Sequence, residues 1–291
     1  MHGTMSSIQV NYDQIAPTYN RRFAGSGRAG TTAALLGLAA ELRAERILEV
    51  GCGTGHWLAG LAPFAGQVHG LDLSAGMLAQ AQQRREPLRL VQGRAGCLPY
   101  AGNSFDLVYC VNGIHHFQDQ AAFVGQAYRL LRPGGALAVI GTDPHTRLDT
   151  WYVYDYFEGT RETDLTRFPS WGTVLDWMAD AGFSEIAWRW VERIRDPKVG
   201  RAVLDDPFLQ KDACSQLALL TSEAYAAGLR RIEATLAQAE LAGAVAAFRS
   251  ELTVAMLTGR TAFPGADHPA TAAKVDDASA AMGQQRRGRS G

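Results

Sequence analysis

Residues 47–55 read Ile47-Leu48-Glu49-Val50-Gly51-Cys52-Gly53-Thr54-Gly55 and lead into His56-Trp57-Leu58-Ala59. A short apolar run enters three glycines at alternate positions and then a helix-forming stretch. Glycine lets the chain turn sharply and lets backbone N–H groups approach a ligand with no Cβ in the way. The N-terminus of the helix behind the turn favours acceptor or anionic groups. The spacing narrows the ligand. Dinucleotide sites want G-x-G-x-x-G, whereas here the glycines fall at 51, 53 and 55 and position 56 is His. That disfavours a pyrophosphate, and a nicotinamide oxidoreductase with it. Glu49, just before the glycines, would repel a phosphate and suit a ligand that carries an ammonium group.

Twenty-one residues after Gly51, the run Val68-His69-Gly70-Leu71-Asp72 ends in an acid. In a doubly wound sheet the ends of the first two strands are neighbours. A carboxylate there accepts both hydroxyls of a ribose. The competing reading makes Asp72 a cap for the helix that starts near Ser74. The joint occurrence of glycine loop and acid at this separation favours the ribose.

Outward from this pair, β-rich runs at 46–50, 67–73, 88–92, 105–111 and 136–140 alternate with helical stretches near 56–65, 75–86 and 119–132. Pro133-Gly134-Gly135 stops the last of these. Strands apolar on both faces, alternating with helices, predict a parallel sheet covered by helices. Right-handed crossovers then place every strand-to-helix loop at one edge. The expected class is α/β: a doubly wound, mostly parallel, seven-stranded Rossmann-like sheet, its last strand antiparallel, with a mainly helical cover.

Residues 1–45 are expected to form an N-terminal helical segment. In it Tyr12, Ile15 and Tyr19 give a short amphipathic helix or a pair of turns interrupted at Pro17. Gly25, Gly27 and Gly30 mark a flexible stretch before a helix over 31–44. The core should occupy 46–142 and continue over 170–196 and 244–263, with a helix at 170–182 and strands at 186–191 and 248–257. Insertions at 143–169 and 197–243, the second with a helical block over 208–243, should cover the substrate. The tail 264–291 has too little apolar content to pack and is expected to be disordered.

Composition excludes several classes. The chain has 291 residues, 47% of them hydrophobic, which rules out disorder throughout. Lys and Arg number 28 against 29 Asp and Glu, so nothing marks a protein built to coat nucleic acid or an anionic membrane. No apolar run approaches the ~20 residues that cross a bilayer, and no secretory signal is visible. A cytoplasmic protein without membrane insertion is expected. Cys52, Cys97, Cys110 and Cys214 lie far apart with no C-x-x-C pair, which argues against a zinc site or disulfide framework.

Four motifs in order carry a family resemblance: Glu49-Val-Gly51-Cys-Gly53-Thr-Gly55, Gly70-Leu-Asp72-Leu-Ser74-x-x-Met77-Leu, Ser104-Phe-Asp106-Leu-Val, and Leu131-Arg-Pro133-Gly134-Gly135. Together they resemble class I S-adenosylmethionine-dependent methyltransferases, in the branch around the ubiquinone/menaquinone-biosynthesis enzymes. The likeness spans about residues 10–142 well and 170–194 loosely. It implies that Gly51, Cys52, Gly53 and Gly55 border the methionine part of S-adenosylmethionine, with Glu49 supporting the loop. It implies that Asp72 holds the ribose, that Leu73 and Met77 cover the adenine, and that Val111-Asn112 meet the amino-acid end. Tyr19 looks like the residue that closes over the cofactor in relatives with a similar Y-D-x-x-A-x-x-Y opening.

One departure stands out. Relatives show Gly-Asp-Ala-Glu before the Leu-Pro of the third loop, the Asp receiving the adenine amino group, where this chain has Gly93-Arg94-Ala95-Gly96-Cys97-Leu98-Pro99. An arginine cannot accept that bond. Either backbone groups over Arg94, Ala95, Gly96 and Cys97 serve the adenine, or adenine selectivity is weaker.

Methyl transfer from a sulfonium needs the nucleophile held near ~3–3.5 Å in line, with a base where a proton must leave. His116, and behind it His115, follow the fourth strand and are the candidate bases. Tyr12, Trp151, Tyr152 and Tyr156 are the candidate substrate walls, since aromatic faces suit a flat apolar or cationic molecule. Arg161, Asp164 and Arg167 read as a surface pairing, and Leu217, Ile232 and Leu236 as part of a packed apolar stripe. Arg286, Arg287 and Arg289 read as solvated. The expected function is transfer of a methyl group to O or N, and next to C, of a small aromatic-containing molecule. A catalytically silent cofactor-binding sensor and a nucleic-acid methyltransferase are the alternatives. The latter lacks a basic stripe and an Asn-Pro-Pro-Tyr motif, Asn112 being followed by Gly113-Ile114. The expected partner is a small-molecule substrate and not nucleic acid, with a homodimer left open.

Overall fold

A computed structural model describes residues 10–23 and 28–263. Gly25, Gly27, and the tail 264–291 with its arginines lie outside the described residues.

In chain order, α1 (Tyr12–Ile15), a 3-10 turn (Tyr19–Phe23) and α2 (Ala29–Glu41) precede β1 (Arg46–Val50). Then come α3 (His56–Leu61), β2 (Gln67–Asp72), α4 (Ala75–Ala81), β3 (Leu88–Gln92), β4 (Phe105–Val111), α5 (Gln120–Leu130) and β5 (Leu131–Gly141). The remainder holds β6 (Thr150–Trp151), α6 (Tyr152–Tyr156), α7 (Thr160–Arg167), α8 (Trp171–Asp180), β7 (Ser184–Arg195) and β8 (Lys198–Val199). Last are α9 (Ser215–Ala218), α10 (Ser222–Leu241), β9 (Ala247–Phe248) and β10 (Ser250–Arg260).

The sheet runs β3-β2-β1-β4-β5-β10, with β7 on the far side of β10 and the short β6 at its start. Strands β1 to β5 are parallel, and β10 is antiparallel to both β5 and β7. The order reverses between β1 and β4, and at such a switch point the crevice beyond the strand ends is the ligand site.

Strand alternation explains why helices cover both faces. Leu48, Val108, Cys110, Leu137 and Val139 face a cluster built with Phe123 and Val124 of α5 and Val174 and Met178 of α8. Their neighbours Ile47, Leu107, Tyr109, Ala138 and Ile140 face the other way, onto Leu35 and Leu38 of α2 and Trp57, Leu58 and Leu61 of α3. Successive residues of a strand point to opposite faces, so each of these strands must be apolar throughout.

Two expectations shift in detail, and a third gains its elements. β5 starts at Leu131 rather than near 136, because Phe105 pairs Leu131 and Leu107 pairs Ala136, and the register shift between them absorbs Pro133-Gly134-Gly135. The helical block over 208–243 breaks into α9 and α10, the Thr221 side chain accepting from Ala224 N to start the longer helix. Residues 143–169, which lack a clean period, form α6 and α7 with Gly159 at φ +79° between them.

A third cluster gathers Tyr152, Phe157, Val203, Leu209, Leu217, Ile232, Leu236 and Phe248. Here α10 lies so close to α6 that a Cβ on Gly228 would sit 2.2 Å from Phe157 Cδ1.

Asp149 joins this layer to the sheet, accepting from Thr253 N at 2.7 Å while only 9% exposed. Burial pushes its carboxyl from 3.8 up to about 6, with Asp143 adding to the rise and Arg161 opposing it. The folded state therefore binds this proton more tightly than the unfolded chain. Stability is fully retained below the unfolded value and is lost as pH rises through the folded one. Asp149→Asn keeps an acceptor for Thr253 N without the buried charge. It is expected to stabilise the protein by about 1–3 kcal/mol above pH ~7, a gain that vanishes below pH ~4. Thermal melts across that range check it, and a pH-independent difference would refute it.

Candidate active site

The glycine loop is shaped by backbone requirements. Gly51, Gly53 and Gly55 have φ of +74°, +52° and +69°, a region that side chains disfavour. At Gly51 there is also no room, since a Cβ would meet the Phe117 ring at 3.2 Å. Gly51 N and Cys52 N both donate to Leu71 O, at 2.7 and 3.1 Å, which stitches the loop to the end of β2.

Asp72 completes that stitch. Its Oδ2 accepts from Gly53 N at 2.7 Å and its Oδ1 from Ser74 N at 2.9 Å. A carboxylate has about four acceptor positions, so these donors do not exhaust it. Burial pushes the carboxyl above its ordinary value, against the pull of these N–H donors.

A cavity of about 490 Å³ opens over this end of the sheet, within the usual range for small-molecule sites. Of the residues singled out in the sequence, Tyr12, Tyr19, Gly51, Gly53, Asp72, Leu73, Met77, Arg94, Ala95, Gly96, Val111, Asn112 and His116 line it. They come from five separate stretches of chain.

The N-terminal segment roofs the cavity and is fastened at several points. Asp13 Oδ1 accepts from Ser74 Oγ at 2.6 Å and from Gly76 N at 2.8 Å. Ile15 and Ala16 pack on Met77, with Tyr12 and Tyr19 against them. Thr54 Oγ1 donates to Asn20 Oδ1 at 2.6 Å, tying the segment to the glycine loop. Across the cavity, Tyr12 Oη and His116 Nε2 lie 2.6 Å apart.

Seven expected residues stand elsewhere. Glu49 lies beneath the loop, 1% exposed, and accepts from Tyr109 Oη at 3.1 Å. Burial raises its carboxyl well above the ordinary value. The reading of Glu49 as facing an ammonium group is corrected, because its side chain forms no part of the cavity wall. Cys52 Sγ packs towards Gly70, and Gly55 packs towards Leu88 and Ala81; both serve the turn from behind. The His115 ring stacks on Phe168 at 3.7 Å and 12°. Burial, with His116 and Arg167 nearby, drives it well below the usual imidazole value, which favours the neutral form. Trp151, Tyr152 and Tyr156 pack the third cluster. Tyr152 Oη donates to Asp206 Oδ2 at 2.8 Å, and Tyr156 rests on Phe248. The structure does not bring these aromatics to the cavity.

The expected surface pairing is buried instead. Asp164 is 0% exposed and takes Arg167, Tyr154 Oη and Gln216 Nε2. Conversely, the cavity wall includes Asp13, Ser74, Phe117, Gln118 and Asp119, none of which the sequence marked as a site residue. Asp119 carried a local signal as the cap before the periodic run 120–130, with its Oδ1 on Ala122 N at 2.8 Å. Among the described residues no group of three or more His, Cys, Asp or Glu is placed to hold a metal ion, and no helix is long and apolar enough to cross a membrane.

A family model described as a methyltransferase domain matches residues 48–139, the stretch that builds the glycine loop, Asp72 and the His116 turn. A demethylmenaquinone methyltransferase of Beutenbergia cavernae is 32% identical over 162 residues, covering 50% of this chain and 67% of the relative. The chain belongs to the class I S-adenosylmethionine-dependent methyltransferases. Within that family, demethylmenaquinone methyltransferases of Oceanobacillus iheyensis and Lactiplantibacillus plantarum are 36% and 35% identical, over 39% and 47% of this chain. The chain spans only 51% and 63% of those two relatives.

Solved methyltransferase structures agree on the fold. A protein of Anabaena variabilis, described as a methyltransferase from an antibiotic biosynthesis pathway, superposes with a TM-score of 0.60 at 20% identity, covering 79% of this chain and 96% of its own. A Haemonchus contortus phosphoethanolamine N-methyltransferase, solved with S-adenosylhomocysteine, gives 0.53 at 18% identity, over 86% of this chain and 57% of its own.

Proposed function

We propose that this chain transfers the methyl group of S-adenosylmethionine to a small, aromatic-containing acceptor by direct in-line displacement. The observation that carries the reading is one cavity joining three things: a carboxylate with spare acceptor positions, a glycine turn with no room for a side chain, and a tyrosine–histidine pair opposite. The cofactor's chemistry fits these residues. Asp72 offers acceptors to the ribose hydroxyls, Leu73 and Met77 an apolar face to the adenine, and Gly51, Gly53, Val111 and Asn112 room and backbone groups for the amino-acid end.

The bound cofactor supplies an activated methyl group. The chain's own work is to hold the acceptor in line, keep water out, and take a proton where the nucleophile carries one. In the neutral tautomer with the proton on Nδ1, His116 Nε2 accepts from Tyr12 Oη; when the acceptor's hydroxyl or amine displaces that hydroxyl, the same lone pair takes its proton. The tyrosine ring adds a flat wall. O or N is the first choice of acceptor atom. The names of the demethylmenaquinone methyltransferase relatives favour the quinone class among small molecules, and with it ring carbon as the next choice. We further propose that 143–169 and 197–243 cover this site from outside the N-terminal roof, which 197–243 meets where Thr18 Oγ1 donates to Asp212 Oδ2 at 3.2 Å; neither segment lines the cavity itself.

Calorimetric titration with S-adenosylhomocysteine, with NAD as control, tests the cofactor half. Heat with the first and none with the second is expected. Transfer of labelled methyl from S-adenosylmethionine to a panel of quinols, phenols and arylamines tests the acceptor half. Folded protein that gives no heat with S-adenosylhomocysteine overturns the reading.

A further inference from the structure

We propose that Asp119, at the start of α5, receives the adenine amino group in place of the carboxylate missing at position 94. This rests on the cofactor reading above and assigns a residue that reading leaves open.

Arg94 lines the cavity but is directed elsewhere: its Nη1 donates to Gln118 Oε1. A guanidinium has only donors, as the adenine amino group does, so the two cannot satisfy one another. Residues 94–97 form a tight turn, with Cys97 N donating to Arg94 O at 3.1 Å. The start of α5 faces this turn, since a Cβ on Gly96 would lie 3.7 Å from the Cβ atoms of both Asp119 and Ala122, and of these two only Asp119 carries a side-chain acceptor.

Asp119 also lines the cavity. Its Oδ1 caps α5 through Ala122 N at 2.8 Å, which leaves Oδ2 as a charged acceptor. Of the other acceptor side chains on this wall, one is satisfied and one is drawn towards α4. Gln118 Oε1 takes Arg94, and Asp13 Oδ1 takes Ser74 Oγ and Gly76 N on the α4 side. The acceptor would thus come from the loop before α5 instead of from the loop after β3.

The test is a swap of base preference. S-adenosylhomocysteine and S-inosylhomocysteine differ in placing an amino donor or an oxo acceptor at the same position of the base. Wild type is expected to bind the adenosyl compound about 10-fold or more tightly than the inosyl compound in calorimetry. Asp119→Asn keeps the cap, because asparagine caps helices as well as aspartate does. With its oxygen on Ala122 N, it presents Nδ2, a donor, to the base. The ratio of affinities is expected to invert, and the melting temperature of the free protein to stay within a degree or two. Asp119→Ser, also a good cap but without the carboxylate, should bring the two affinities within about 3-fold. An unchanged ratio in both variants, with wild type still binding the adenosyl compound, overturns the assignment of Asp119 and leaves the cofactor reading standing. Wild type that binds neither compound overturns both.

Discussion

Asp72→Ala is expected to weaken S-adenosylhomocysteine binding by about 100-fold or more, the largest effect of any single change in the cofactor wall. The carboxylate is asked to accept two hydroxyl hydrogens, and hydrogen bonds to a charged acceptor are worth about 1.5–3 kcal/mol each. It also holds Gly53 N and Ser74 N, so alanine frees the loop that must fit the amino-acid end. The variant should nevertheless fold. Alanine removes the cost of burying the Asp72 charge but leaves Gly53 N and Ser74 N without their acceptor, so the melting temperature without ligand should fall by only a few degrees.

The same burial gives the pH dependence. The carboxyl keeps its proton to a higher pH than an ordinary aspartate does, and the protonated form is a weaker acceptor. Wild-type affinity should therefore fall on acidification sooner than a carboxyl with the ordinary value of 3.8 would allow, and Asp72→Asn should show a flatter profile over the same range. Calorimetry at several pH values measures both effects. Equal affinity in wild type and Asp72→Ala would remove Asp72 from the site.

What the sequence disclosed is what local chemistry dictates. Alternate glycines at 51, 53 and 55 are needed because all three backbones lie at positive φ, and that requirement is written in consecutive residues. The parallel sheet shows as runs apolar on both faces. Contacts across long separations left no such mark. Asp13 meets Ser74 across 61 residues and Tyr152 meets Asp206 across 54. Nothing near Asp13 announces its partner, and nothing near Tyr152 shows that its hydroxyl is already satisfied away from the cavity.

Glu49 shows how proximity in sequence misleads. It adjoins Gly51, yet strand alternation puts it on the Ile47 side of β1, with Tyr109 and beneath the loop. Asp119 is the opposite case. It reads as an ordinary helix cap, and only the approach of the 94–97 turn makes it a candidate for anything more.

His116→Ala is expected to lower the turnover rate by about 100-fold while changing the affinity for S-adenosylhomocysteine less than 3-fold. General-base catalysis typically contributes 10²–10⁴-fold, and among the described residues no second imidazole lines the cavity. His115 is the adjacent imidazole, but it is stacked under Phe168, off the cavity and driven towards the neutral form by burial. The Tyr12–His116 contact also ties the N-terminal roof to the loop after β4, so a rate loss alone would leave two explanations. Tyr12→Phe separates them. It removes the hydroxyl tie and keeps the aromatic wall and the imidazole. A base role predicts a much smaller loss, about 10-fold or less, for Tyr12→Phe than for His116→Ala. A purely structural tie predicts equal losses in the two variants, together with faster release of S-adenosylhomocysteine from each. The acceptor decides a further point. A nucleophile that arrives already deprotonated needs no base, and then His116→Ala should raise KM and leave kcat near wild type. The split between kcat and KM, measured with one hydroxylated acceptor and one amine, therefore distinguishes proton removal from positioning at this imidazole.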